Sequence, residues 1–296
     1  MIHAFLKRLE REVLVNDGAM GTMLLDSGMQ TGTCPEEWNV SHPEIIKQIH
    51  KKYFSAGCDM ITTNTFGGTR FKLKDFSFES KTKDFNFCGA QLAKEAAPEG
   101  GFVSLSVGPT GKFIEPLGEV SYPEMVEVFS EQIRAGVEGG VDVICIETMY
   151  DLKEAKAAIE AAKKTCELPI IATMTFDKTK NGFRTMMGVE PKDAVSELSK
   201  FGADVVGSNC GTGIDEMIEL MKEMRSAGKD FYLIAQPNAG MPIMQEDRVI
   251  YKQDPEYMAK RSLEFLKIGV NVVGGCCGTT PEHIKHIVAS IRGYEE

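Results

Sequence analysis

No run of 18 apolar residues occurs in this 296-residue chain, and no basic segment at its start leads into a long apolar stretch. Neither a membrane span nor a secretory signal is therefore expected. Basic residues are outnumbered, with 33 Lys and Arg against 43 Asp and Glu and a formal charge of −10. A diffuse field of that sign opposes general nucleic-acid binding. Glycine (29) and proline (12) stay near their ordinary ~12% share, which excludes collagen-like and broadly disordered sequence. Eight cysteines are too sparse for a small disulfide scaffold. Cys34, Cys58, Cys88, Cys145 and Cys166 stand singly and read as buried free thiols, for which a reducing cytoplasm is the expected compartment. There is no G-x-S-x-G for a hydrolase nucleophile, and no phosphate-binding or dinucleotide glycine pattern.

What is present is a core. Hydrophobic residues make up 43% of the chain and charged residues 26%, enough for one large domain or two modest ones. Eight short Val/Ile-rich segments read as parallel strands buried on both faces: 13–17, 59–64, 102–108, 142–147, 169–176, 204–209, 231–237 and 270–275. Helical spacing separates them, with helices expected over 84–97, 152–164, 191–201, 215–227 and 281–291. Caps are expected at Ser41, Ser121, Asp254 and Thr280, and left-handed glycine stops at Gly57, Gly202, Gly228 and Gly269. Eight such units with no dividing linker predict an α/β fold, a single (β/α)8 TIM barrel over 1–296, with a doubly wound open sheet as the rival. The longer excursions 67–83 and 238–253 follow strands and belong on the catalytic rim of a barrel.

The sharpest chemical feature is Gly274-Gly275-Cys276-Cys277-Gly278-Thr279-Thr280-Pro281, at the end of the last strand. Cys210 takes the equivalent end of the sixth. A barrel brings strand ends to one face, so three thiolates can converge there and leave a fourth position on zinc for a soft ligand. Adjacent cysteines also occur as a vicinal disulfide, a redox pair, simple packing or a structural zinc site, and those readings stay open here. Asp17, in the Asp17–Thr22 segment, and Glu147, ending the fourth strand, are candidates to hold an ammonium group; turn formation and a rim salt bridge are their alternatives. Asn64 and Asn238 are neutral candidates for orienting substrate. His283 and His286 read as helix-start or surface polarity, and Met217, Met221 and Met224 as core packing.

Taken in order, several segments resemble the homocysteine S-methyltransferase family, which includes the amino-terminal module of cobalamin-dependent methionine synthase. They are DGAMGT at Asp17–Thr22, TTNTFG at Thr62–Gly67, VGPTG at Val107–Gly111, Glu147-Thr148, Asn209-Cys210, PNAG at Pro237–Gly240 and GGCCGTTPEH at Gly274–His283. The resemblance covers nearly the whole chain. It implies a (β/α)8 barrel that binds Zn²⁺ through Cys210, Cys276 and Cys277 and moves a methyl group to homocysteine sulfur, giving methionine. It further implies Asp17 and Glu147 at the substrate's amino end, Met20, Gly21 and Thr148 beside its amino-acid part, and Asn238 as a candidate fourth zinc ligand. The donor it implies first is methylcobalamin or another corrinoid on a separate protein. S-methylmethionine or betaine as a small donor, and a related thiol or selenol as acceptor, are alternatives. A thiol redox enzyme and a noncatalytic zinc-stabilised interaction domain are the other classes. The residues after the last helix leave no room for folate- and cobalamin-binding modules, so the complete fused synthase is not expected from this chain alone. Neither length nor charge specifies an oligomeric state.

Overall fold

Val, Ile, Leu and Ala dominate eight short segments, and a backbone buried on both faces must find its hydrogen bonds in neighbouring strands. The computed structural model, which describes residues 3–245 and 248–294, pairs them as one parallel sheet. The strands are β1 Leu14–Val15, β2 Met60–Thr62, β3 Phe102–Val107, β4 Val143–Met149, β5 Ile170–Met174, β6 Val205–Gly213, β7 Tyr232–Asn238 and β8 Val272–Val273. Their order around the sheet is β1-β8-β7-β6-β5-β4-β3-β2. A parallel bridge between Asn16 and Met60 brings the two edges together, giving the expected barrel rather than an open sheet. All eight expected strands are present.

Alternation along each strand sorts residues inward and outward. Outward residues such as Val15, Ile61, Val103, Leu105, Ile144, Ile146, Ala172, Val206, Leu233 and Val273 join one continuous core. The outer helices that supply its other half include Pro43–Ser55, Thr82–Ala96, Tyr122–Glu138, Leu152–Thr165, Pro191–Phe201, Ile214–Arg225, Pro255–Ile268 and Pro281–Arg292. Met217, Met221 and Met224 are buried in this layer, as their spacing predicts. Inward residues Leu14, Met60, Phe102, Val143, Cys145, Ile171, Val205, Ile234 and Val272 form a second cluster at the strands' N-terminal ends. Phe5 and Leu9 of the helix Ala4–Leu9 close it from below. One turn of pleat further up the interior becomes polar: Asn16, Thr62, Ser104, Thr173, Asn209 and Gln236. The apolar plug thus fixes where the barrel can hold a polar ligand.

A repeated device sets the register of alternate strand pairs. Gly57-Cys58-Asp59-Met60, Gly140-Val141-Asp142-Val143, Gly202-Ala203-Asp204-Val205 and Gly269-Val270-Asn271-Val272 each lead into an even-numbered strand. In each, the Asp or Asn side chain accepts a backbone N–H of the preceding strand, at Val15, Val103, Ile170 and Leu233, over 2.8, 2.9, 2.8 and 3.0 Å. The glycines take φ of +98°, +95°, +107° and +82°, which an L side chain resists.

Two expectations at helix ends fail. Ser41 does not cap the helix Pro43–Ser55; it ends a short helix, Trp38–Ser41, and its hydroxyl is spent on Glu37 and His42. Gly228 is no left-handed stop, because the helix Ile214–Arg225 ends in a right-handed turn at Ser226. Caps at Ser121 and Asp254 form as expected, and Thr280 forms a capping box with His283. The singly placed thiols are free; Cys34, Cys58 and Cys145 are buried, whereas Cys88 and Cys166 are partly exposed because their helix-face and helix-end positions reach the surface. Among the described residues no helix is long and apolar enough to cross a membrane.

Candidate metal and substrate site

Strand ends carry the site, and two of them are bulged. The β4–β5 register shifts between Ile146 and Met149, and the β6–β7 register between Asn209 and Gly213. Within these breaks Thr148 and Cys210 adopt φ of +61° and +60°, a left-handed backbone unusual for any non-glycine residue and more so for a β-branched one. The bulges turn Glu147 and Cys210 out of the regular alternation at the barrel mouth.

Cys276 and Cys277 follow β8 in a turn tied to its neighbours. Gly275 N–H donates to the Asp17 carbonyl (2.9 Å), Cys276 N–H to the Pro237 carbonyl (2.8 Å), and Ala239 N–H to the Cys277 carbonyl (2.9 Å). A Cβ at Gly275 would lie 2.3 Å from Thr279 Oγ1, so only glycine lets this turn close. Through these bonds the Sγ atoms of Cys210, Cys276 and Cys277 lie within 4.8 Å of one another, with Cys210 and Cys277 at 3.9 Å. The neighbouring Cys276 and Cys277 thiols push the Cys210 thiol down by hydrogen bonding. The Asn238 amide lies against Cys210 and its Oδ1 is buried without a partner. Tyr251 lies beside Cys277, its ring packed over Gly278. Three sulfurs at ligating separation beside an unpartnered amide oxygen fit a soft divalent metal such as zinc.

A cavity of about 420 Å³ opens onto this cluster. It is lined by Asp17, Met20, Gly21, Asn64, Glu147 and Thr148, as well as by all three cysteines. Asn238 is not part of that lining. Asp17 Oδ2 accepts the Thr62 N–H (2.8 Å), whereas Oδ1 is buried and unpartnered. Burial pushes the Asp17 carboxyl well above the usual range, and the Glu147 charge adds to this. Burial likewise raises Glu147 to about 7, against the Ser106 hydroxyl that donates to its Oε1. Among the described residues no Lys, Arg or His lines the cavity. Of the three carboxyl groups that line the space, Glu36 is spent on Gly67 and Cys34, whereas Asp17 and Glu147, with no cation among the described lining residues, match a ligand that brings a positive charge. Asn64 lines the cavity, yet its Nδ2 is committed to the Pro35 carbonyl (2.7 Å) and Asn39 Oδ1 (3.0 Å), so it braces the wall.

Other participants went unread in the sequence. Glu36 is 3% exposed, lines the cavity, and accepts the Gly67 N–H (2.6 Å) and the Cys34 thiol (3.3 Å). It comes from a short turn between motifs, where nothing marks a carboxylate as buried. Tyr251 lies in the 238–253 excursion, whose rim position was expected though only Asn238 within it was singled out. His283, read as helix-start polarity, takes that role while nearly buried, its ring bridging the Thr280 cap and the Gln253 carbonyl. A larger groove of about 1110 Å³ at the opposite end of the barrel is lined by Lys222, Arg225, Lys229, Asp230, Glu264 and Lys267 among others. Its charges are mixed and it gathers no thiol, so its size alone marks no active site.

Comparison with known proteins adds the following. A family model described as homocysteine S-methyltransferase matches residues 14–291. Methionine synthase of Mycobacterium leprae (strain TN) is 31% identical over 304 residues, covering 97% of this chain and 25% of that protein. Methionine synthase of Mycobacterium tuberculosis (strain ATCC 25618 / H37Rv) is 32% identical over 301 residues, covering 96% and 25%. The chain thus spans about a quarter of the length of these relatives. Among solved structures, the metallated form of the homocysteine methyltransferase MmuM from Escherichia coli superposes with a TM-score of 0.79 at 21% identity, covering 97% of this chain and 98% of that one. That likeness shows the barrel.

Proposed function

From the premise that the chain belongs to the homocysteine S-methyltransferase family, we propose that one barrel over 1–296 transfers a methyl group to the sulfur of homocysteine, giving methionine. The observation that carries this reading is the placement of three thiols and two cation-free carboxyl groups around one cavity. Cys210, Cys276 and Cys277 would hold Zn²⁺, with Asn238 available to support the fourth position. Zinc in such a set stabilises a bound substrate sulfur as thiolate at neutral pH, while three anionic ligands keep that sulfur electron-rich enough to attack a methyl group.

The chain's own residues supply the rest. Asp17 and Glu147 bind the substrate ammonium, and the incoming cation draws both carboxyl groups toward their charged forms. Met20, Gly21 and Thr148 border the amino-acid part, where Gly21 leaves the space open that a side chain would fill. Leu24 and Phe66 add apolar surface to the cavity wall.

The donor is a methyl group on a corrinoid carried by a separate protein, in a reducing, cytoplasmic setting. Support comes from the relatives, which are methionine synthases four times as long as the matched segment. The test is a donor panel with the reduced, zinc-loaded protein, read by methionine formation from homocysteine. A methylated corrinoid protein should give methionine, and S-methylmethionine or betaine should not. The reverse pattern assigns a small-molecule donor. No methionine from any donor, with zinc retained, removes the enzymatic reading in favour of a noncatalytic zinc domain, whereas reversible thiol oxidation without bound zinc would point to redox chemistry.

A further inference from the structure

Asn209 is fully buried between the two bulges, with its amide placed among site residues. Its Oδ1 accepts the Thr148 N–H (2.8 Å) and the Thr173 hydroxyl (2.6 Å). A backbone N–H can only donate, so the oxygen's place is settled and Nδ2 must face the other way. There Nδ2 donates to Thr148 Oγ1 (2.8 Å) and Glu147 Oε2 (3.3 Å), and lies 3.9 Å from Cys276 Sγ. Ser106 holds the other oxygen of Glu147. Both oxygens of that carboxylate are therefore oriented by neutral donors, which fix its direction without cancelling its charge. The same amide pins the left-handed backbone of Thr148 from both sides, at its N–H and at its hydroxyl.

We infer that Asn209 is a positioning residue that sets the Glu147 carboxylate at a fixed place relative to the thiol cluster, and so determines preference for an acceptor carrying an α-amino group. The inference rests on the reading of the site given above. A primary amide suits this task because it accepts on one side and donates on the other. Aspartate would keep the accepting half and set a second carboxylate against Glu147. Serine would remove both halves.

The test compares binding of homocysteine and of 4-sulfanylbutanoate, the same thiol without the amino group, to the zinc-loaded protein by titration calorimetry. Metal content and circular dichroism are measured for every variant. Asn209→Asp should weaken homocysteine by about 10-fold or more while changing the des-amino thiol less than about 2-fold, the loss expected for a charge-assisted contact at one end of a ligand. Asn209→Ser should move preference in the same direction. Glu147→Gln should remove the preference alone, and combining it with Asn209→Asp should add little, since the two act through one interaction. Equal weakening of both thiols in folded, zinc-replete Asn209 variants would make the residue merely structural and overturn the inference. So would losses that add to those of Glu147→Gln. If wild type binds homocysteine but the Asn209 variants keep its full preference, this inference alone falls; if wild type binds neither thiol, the reading of the site falls with it.

Discussion

His50 provides a test of the barrel's wall that is independent of the chemistry. It lies on the helix Pro43–Ser55 with no exposed surface, and neither ring nitrogen has a hydrogen-bond partner. Burial pulls its pKa from 6.5 to about 3. The folded protein therefore keeps the ring neutral through a range in which the unfolded chain takes up a proton. Below pH 6.5 the unfolded state binds more protons, so this residue's contribution to stability falls as pH falls, until the folded form also protonates near pH 3. At pH 5.0 the linkage amounts to about 2 kcal/mol, taking ~1.36 kcal/mol for each pH unit below the unfolded value. Asp17, Glu147 and Glu154 act the other way, because burial raises their pKa values and the folded state gains protons at their sites first. The net pH profile is thus a poor readout. The difference between wild type and His50→Leu isolates the histidine. Urea unfolding of both, in the same metal state, at pH 7.5 and 5.0 should show the variant gaining about 2 kcal/mol on wild type at the lower pH, or roughly 3 °C in Tm for a chain of this length. An identical difference at both pH values would mean that His50 is hydrated or partnered in solution and would refute the reasoning.

Three further outcomes are expected. Replacing Cys210, Cys276 or Cys277 singly by Ala should cut bound zinc well below one per chain and abolish methyl transfer, as read by metal analysis and methionine formation; full zinc retention in any of them would remove that sulfur from the ligand set. Glu147→Gln should raise KM for homocysteine by ~10–150-fold with a smaller change in kcat, since a hydrogen bond to a charged group contributes ~1.5–3 kcal/mol. Asp204→Ala strands the Ile170 N–H and should lower stability by ~1–3 kcal/mol in urea unfolding, without changing zinc content.

The barrel was legible because its strands are buried on both faces: segments such as Val143-Ile144-Cys145-Ile146 admit few other uses, and their number together with the helical spacing between them points to closure. The thiol set was legible because glycines frame Cys276-Cys277 and because Cys210 stands where a sixth strand must end. Register devices were another matter. The Gly-x-Asp/Asn run before each even strand is visible in the letters, yet its meaning depends on the neighbour whose N–H each side chain accepts. Ser41 looked like a cap because Pro43 and Glu44 follow it, but a competing turn at Trp38–Ser41 takes its hydroxyl. Glu36 could not be read as a site member, and Asn209 stood only as the neighbour of Cys210 in its segment, since the burial and partners of a polar residue are decided by tertiary packing.

The deepest gap between sequence and site lies in the bulges. Thr148 and Cys210 hold left-handed backbones with no glycine to announce them, each at a strain of order 1–3 kcal/mol. That strain sits where two ends of the proposed substrate would be held, Glu147 on one bulge and Cys210 on the other. Cys210 is short, and Glu147, though longer, has both oxygens held by Ser106 and Asn209, so the distance between carboxylate and sulfur has little freedom to drift. A long, flexible residue such as Lys could span the same gap from regular strands, at the expense of a defined geometry. Asn209 lies at the edge of the second bulge and reaches across to the first, so the two distortions support each other through one amide. Mutual support of this kind explains how a β-branched residue keeps a disfavoured φ. It would also place the proposed acceptor selectivity in the backbone of β4 and β6 as much as in the side chains of Asp17 and Glu147.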